Sequence, residues 1–254
     1  MHPPPIPPLD LIALGLFLAM WLGYGLAQRH FGPRTINNGL HGVRVLWMRA
    51  MLMRDNRIAD SSLIGHVIHS ASFFASTSLI AIGALLGVLT GLDRLQPAID
   101  ELALGPPPSR ELLALKVLLP LAVLVHGLFK LTWSLRQMNY TVALIGAMPP
   151  AAPAEPLRSQ LAERLGGVLS SALATFNDGI RSYYFALAGM LWLAGPWLLI
   201  GAAALLLALL VHRQLASGVS AEFAAALPLV RAAHAPSMPT GASDKTGGDK
   251  TGEE

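Results

Sequence analysis

The side chains able to do chemistry in this chain are histidines, arginines, lysines and a few carboxylates, because the sequence has no cysteine. That absence removes disulfides, thiol catalysis, iron–sulfur ligation and Cys-type zinc sites. His66 and His69 stand three apart, so they share a helix face, and His126 lies further along. Membrane histidines can hold haem iron or a transition metal, which makes these three the metal candidates. Their spacing brings no acidic partner, so hydrogen bonding across helices is the preferred reading and no cofactor is expected. A second constellation is charged. Arg54, Asp55, Arg57 and Asp60 form one group, Arg136 and Asn139 another, and Asn177, Asp178 and Arg181 a third. A guanidinium grips phosphate or carboxylate with two parallel hydrogen bonds, so these residues are candidates for a ligand or a lipid headgroup. The competing reading is topological: interfacial Arg with Arg–Asp pairs fixing helix ends. Lys130 follows His126 by one helical turn, and its long stem, like that of Lys116, can carry the ammonium to an interface. There is no P-loop, HExxH or GxSxG, and spacing suggests no nucleophile–base pair. No catalytic residue is assigned, and a non-enzymatic role is favoured.

The elements that must position these groups are apolar. Of 254 residues only 13% are charged, against roughly 25% in an average soluble domain. Mean hydropathy is +0.52. Ser61–Leu92 and Ser182–His212 contain no Asp, Glu, Lys or Arg. A transmembrane helix needs about 20 predominantly apolar residues, and each run exceeds that. The composition excludes a soluble globular enzyme and a secreted disulfide scaffold. A net charge of +3 and a pI of about 9.5 do not indicate nucleic acid, since the excess Arg lies between apolar segments.

The pattern predicts an all-α, polytopic membrane bundle with four transmembrane helices plus cytoplasmic amphipathic helices. Residues 1–8 form a Pro-rich extended arm without the basic start of a signal peptide. The membrane domain is 9–212, with spans at about 9–27, 66–92, 112–133 and 183–211. The connector from Gln28 to Gly65 carries six Arg and includes a helix-forming stretch from Val43 to Met53. Asp60 ahead of Ser61 and Ser62 reads as a helix N-cap. Ser70 to Ser78 is a hydroxyl-rich run suited to backbone bonding and packing. Gly83, Gly87 and Gly91 make two overlapping GxxxG pairs, which flatten one helix face for close approach inside the bundle or to a second copy. Replacing Gly87 by Leu is then expected to destabilise fold or oligomer. A helix over 156–176 is amphipathic, with Asn177-Asp178-Gly179 interrupting it. Gly195 and Pro196 kink the fourth span. Residues 213–230 form a weak helix, and 231–254 have almost nothing to bury and are expected to be disordered.

Lys and Arg concentrate in cytoplasmic loops. The first and third connectors hold most of them, which puts both in the cytoplasm and both termini outside, periplasmic for a Gram-negative source. The basic residues Arg213, Arg231, Lys245 and Lys250 of the C-terminal tail run against that assignment.

Three motifs also carry a resemblance. They are Trp47-x-x-x-Met51 followed by Arg54-Asp55-Asn56-Arg57; Arg136-x-x-Asn139-Tyr140 followed by Leu144-Ile145 and Pro149-Pro150; and Asn177-x-Gly179-x-Arg181-x-x-Tyr184-Phe185-Ala186-Leu187 with Leu191-Trp192 and Gly195-Pro196. In this order, over roughly Leu9 to His212, the chain resembles the membrane proteins of domain of unknown function family 599, found in bacteria and plants. The resemblance implies about four spans and supplies no catalytic residues. The expected role is structural, accessory or lipid-associating, with the bilayer and its anionic cytoplasmic lipids as partner. A homo-oligomer or a membrane protein partner is compatible. The alternatives are a small-solute channel or carrier and, at lower weight, a haem- or metal-binding redox subunit.

Overall fold

The computed structural model describes residues 6–31, 36–102, 107–215 and 218–233. Its helices are α1 (Pro8–Phe31), α2 (Ile36–Leu52), α3 (Ile58–Thr90), α4 (Leu92–Leu102), α5 (Arg110–Gly146), α6 (Leu157–Met190), α7 (Pro196–Leu215) and α8 (Gly218–Ala233). No strand occurs among the described residues. Four of them, α1, α3, α5 and α7, contain segments long and apolar enough to cross a membrane. The all-α membrane bundle expected from the charge-free runs is therefore present.

The centre of the bundle is α5. Ser109 caps it, its hydroxyl accepting from the Leu112 N–H at 3.2 Å, which satisfies one of the orphan donors of a helix start. α6 packs antiparallel along it. Gly127 faces Gly179, the buried Ser134 hydroxyl donates to the Ala172 carbonyl at 2.7 Å, and Gln137 reaches the Ser171 hydroxyl at 3.1 Å. α3 lies on another side of α5, placing Ile64 with Ile145 and Ala71 with Met138 in shared clusters. α1 runs parallel to α5: Asp10 meets Lys116, and Trp21 meets His126.

Two cores result. One gathers Ala13, Phe17, Leu113, Val117, Phe185, Trp192, Leu199 and Ala203 around α1, α5, α6 and α7. The other lies at the α2 end, where Met48, Met51, Leu52, Ile64, Ile145, Leu165 and Leu169 are buried. Where water surrounds such a cluster, burying each large side chain is worth about 1.5–3 kcal/mol. Hydrocarbon offers no such drive, and helices there cohere through close packing and hydrogen bonds.

Several expectations are corrected. Asn177-Asp178-Gly179 does not interrupt a helix; α6 continues to Met190 because Gly179 is selected by tight contact with α5, where a Cβ would lie 2.7 Å from Leu131 Cγ. The segment from Tyr183 to Val211 is not one kinked helix. A 3-10 turn over Leu191–Leu193 and Gly195 at φ 156° separate α6 from α7, and only glycine adopts that φ readily. Pro196 is the first residue of α7, where its missing N–H costs nothing. Asp60 does not cap α3: the helix starts at Ile58, whose N–H donates to Asn56 Oδ1 at 2.9 Å. An additional amphipathic helix, α4, occupies the second connector.

The start of α1 and the described end of α8 lie at opposite ends of the bundle. α1 starts beside Trp192, which donates to Asp10. From that end α7 runs along α1, with Leu199 and Ala203 in the cluster of Ala13 and Phe17. α8 then packs on α2, Arg231 Nη2 approaching Gly42. α2 in turn lies against the beginning of α6, where a Cβ on Gly166 would sit 2.7 Å from Val45 Cγ2. Arg231–Ala233 are helical in α8, and the rest of the tail expected to be disordered, 234–254, lies outside the described residues.

Candidate functional site

Helical spacing builds one polar cleft. Asp178, Arg181, Ser182 and Phe185 fall at i, i+3, i+4 and i+7 on α6 and so share a face. His126 and Lys130 are one turn apart on α5, and Trp21 and Tyr24 are i, i+3 on α1. These three faces enclose a cavity of about 320 Å³. His126 Nδ1 lies 3.0 Å from the Ser182 hydroxyl, which donates to the Asp178 carbonyl at 3.2 Å. His126 meets the Trp21 ring edge-on at 5.1 Å. Arg181 forms an ion pair with Asp178 and stands over the Tyr24 ring, 5.3 Å from its centroid, in a cation–π contact. Lys130 lines the same cleft, and no described residue forms an ion pair with it. Two cations thus face one carboxylate in a semi-enclosed, largely apolar space. Such a site suits a single anionic group attached to an apolar body.

The nine polar candidates do not form one site. Asp178 and Arg181 enter the cleft. Asn177 is exposed. Arg136 donates to the Tyr140 hydroxyl at 2.7 Å and Asn139 is exposed, so this pair stays at the surface of α5. The Arg54 group instead closes the α2–α3 junction. Asp60, fully buried, accepts from Trp47 Nε1 at 2.6 Å and Arg54 Nη1 at 2.5 Å, while its Oδ2 has no hydrogen-bond partner. Arg57 donates to the Met148 and Pro149 carbonyls at 2.9 and 2.7 Å, holding the end of α5, and Asp55 is exposed. His66 and His69 are exposed on α3 and do not join His126. Among the described residues no three His, Asp or Glu converge as a metal site would require.

Among the described residues of this chain, Gly83, Gly87 and Gly91 meet no other helix. A Cβ at Gly83 or Gly87 would meet nothing within 4 Å, and at Gly91 only its own helix. The close approaches are made by Gly127, Gly166 and Gly179 instead. Ser70, Thr77 and Ser78 bond to carbonyls of their own helix, as expected of a hydroxyl run. Lys116 does not snorkel. It is 5% exposed, with its ammonium 3.6 Å from Asp10 Oδ1, which also accepts from Trp192 Nε1 at 2.7 Å.

One arrangement has no trace in the sequence spacing. His41 of α2 bridges Ser170, at 3.0 Å, and Glu163, at 3.2 Å, while Arg44 donates to Ser170 at 3.2 Å. This is the order nucleophile, base, acid. Ser170 sits in mid-helix, however, where its N–H and those beside it are committed to the helix ladder, so no backbone donors are left for an oxyanion. The cluster therefore acts as a polar latch between α2 and α6. Burial lowers the Arg44 guanidinium from its ordinary value. Nearby, Glu155 is held down to about 2 by the Ser159 hydroxyl and Arg158, and it also pairs with Arg49 at 2.8 Å.

The fold and the cleft define an all-helical protein with four membrane-competent helices and a polar cavity where three helices meet. Residues 12–219 match a protein family of unknown function, DUF599, and the chain belongs to that family. No curated protein and no solved structure matches the chain.

Proposed function

We propose that this is a lipid-associating protein of the cytoplasmic membrane, the inner membrane in a Gram-negative cell, that holds the anionic headgroup of a lipid in the α1–α5–α6 cleft. The observation that carries the reading is the lining of that cleft: among its described residues Lys130 and Arg181 stand with one carboxylate, Asp178, and no described residue forms an ion pair with Lys130. A cation at membrane depth is expensive and calls for a compensating anion. Depth agrees with a headgroup. Lys116 and Lys130 are separated by about 21 Å of helix at 1.5 Å per residue. With Lys116 at one boundary of a hydrocarbon core of about 30 Å, the Lys130 backbone stands about 9 Å from the other, a gap that its stem largely bridges.

The contacts also support a revised sidedness. The C-terminal part of α6 lies beside α1 and α5 as a fifth crossing, too polar at Asp178, Arg181, Tyr183 and Tyr184 to qualify by hydropathy. α2, the start of α6 and α8 then share the cytoplasmic side, and the basic residues of the C-terminal tail cease to oppose the positive-inside rule. A green fluorescent protein fused after Glu254 is expected to fluoresce; activity from a periplasmic phosphatase fused there instead would return the C-terminus to the outside.

Flotation with liposomes tests the headgroup reading. The detergent-purified protein should retain phosphatidylglycerol over phosphatidylcholine. Lys130→Met should weaken that preference about tenfold, in line with the roughly 1.5–3 kcal/mol of a charged hydrogen bond. Equal retention of both lipids by the wild type overturns the reading.

A further inference from the structure

The α1–α5–α6 interface does not end at the cleft. Towards the start of α1 it passes through an apolar layer and ends in a second ionic group. Phe17 and Phe185, both fully buried, meet edge-on at 5.8 Å. A Cβ on Gly189 would touch both Phe17 and Pro120, so this layer is closed by four side-by-side residues from the three helices. Beyond it, Asp10, Lys116 and Trp192 form a knot that is 0–6% exposed. The order along the interface is thus cation-lined cleft, apolar aromatic layer, buried cation with its counter-ion.

A buried ion pair is a poor explanation of stability, because well-packed apolar residues of similar volume do as well or better. The features that let helices move stand at the same end as the knot. Pro120 deprives α5 of one ladder hydrogen bond, the 3-10 turn Leu191–Leu193 carries Trp192 itself, and Gly195 with its positive φ lets α7 reverse. Asp10 occupies Lys116 in the observed state, as a counter-ion that an incoming anion could replace.

We propose that this interface is a gated route by which the anionic headgroup of a lipid, or a free anion of the same chemistry, passes between the cleft and the Lys116 level. The Phe17–Phe185 layer and the Asp10–Lys116–Trp192 knot are the two closures. The proposal rests on the cleft binding an anion. It assigns Lys130 and Arg181 as the station on the α2 side and Lys116 as the station on the far side. Asp10 serves as the exchangeable counter-ion, released when the incoming anion pairs with Lys116.

The test is reconstitution of the full chain in phosphatidylcholine vesicles with two probes run in parallel. One is a phosphatidylglycerol with a fluorescent acyl label, whose leaflet exchange is read by dithionite bleaching. The other is encapsulated inorganic phosphate, whose release is read directly. Wild-type vesicles should exceed protein-free vesicles with at least one probe. Phe17→Ala should raise that rate about tenfold, equivalent to removing about 1.4 kcal/mol of barrier. Asp10→Asn should raise it as well, and Lys130→Met should lower it. Because Asp10→Asn removes a buried charge and can impair folding, Phe17→Ala, a purely apolar truncation, decides the matter independently. Movement of the lipid probe identifies a headgroup as the cargo. Movement of phosphate alone supports the route and makes the cargo a free anion. If neither probe moves faster than in protein-free vesicles, with wild type or with Phe17→Ala, the route is refuted. Lys130-dependent flotation in that same preparation would leave the headgroup site standing, and its absence would remove both.

Discussion

Two pairs of helix glycines in this bundle have opposite surroundings. On α3, Gly83 and Gly87 are four apart, exposed, and open to space that a side chain could fill without meeting another helix of the chain. On α6, Gly166 and Gly179 are thirteen apart and each is pressed against a neighbour, Val45 of α2 and Leu131 of α5. The regular motif is idle within the chain, and the irregular glycines make the contacts. Glycine every fourth residue states only that a face is flat. Whether flatness is used depends on which helix the topology delivers to it, and that information is carried by the long-range pairing of helices.

The largest effect should come from filling a glycine position that is in use. At Gly166 an added Cβ would lie 2.7 Å from Val45 Cγ2 and 3.0 Å from the Val45 Cα and N. A backbone cannot rotate out of the way as a side chain can, so α2 must be displaced from α6. Gly166→Ala should destabilise the protein by about 1–3 kcal/mol, the usual range for overpacking. Thermal unfolding in detergent measures it. An unchanged melting temperature would mean that α2 does not sit on α6 as described, and the contrast between the two pairs would weaken.

A smaller effect separates glycine contact from charge within the same α2–α6 seam. Glu155 joins Arg49 of α2 to Arg158 at 2.8 and 3.0 Å. The Ser159 hydroxyl and Arg158 hold its carboxyl at about 2 in the folded protein, below an ordinary 4.5. A carboxyl depressed by folding adds stability that is complete above the ordinary value and disappears as pH falls towards the folded one. The wild type should therefore lose melting temperature more steeply than Glu155→Gln between pH 4.5 and pH 2. Parallel profiles would show that the bridge adds nothing to the seam. The carboxyl is solvent-exposed, so salt should also diminish the difference.

Local pattern announced four apolar spans, although the charge-free run Ser182–His212 is divided between the end of α6 and α7. It also announced half of the cleft: Trp21 with Tyr24, and His126 with Lys130, are visible as neighbours by helical spacing. It also named Asp178 and Arg181 as headgroup candidates, but it put them at a break between helices, for a physical reason. Asp178 and Arg181 lower the hydropathy of α6 because they face the cleft, so that half of the helix resembles a break between elements. Asp10, Lys116 and Trp192 are more than seventy residues apart from one another, as are His41 and Ser170. No local rule joins such groups; the antiparallel register of α5 with α6, the parallel register of α1 with α5 and the packing of α2 on α6 do. The expected snorkelling of Lys116 failed on the same ground, because its counter-ion is on another helix.

The smallest effect is expected where the sequence motif is strongest. Within one chain Gly87→Leu adds a side chain to an exposed helix face with nothing within 4 Å. Substituting glycine in a helix also recovers up to about 1 kcal/mol of propensity. The melting temperature in detergent should hold or rise slightly, contrary to what the GxxxG spacing alone predicts. The mass of the detergent-solubilised particle should not change. A clear fall in melting temperature together with a fall in mass would show that another helix, from a second copy, occupies this face. Gly83 and Gly87 would then belong with Gly166 and Gly179 as glycines selected by contact, and the difference between the two pairs would be one of partner rather than of use.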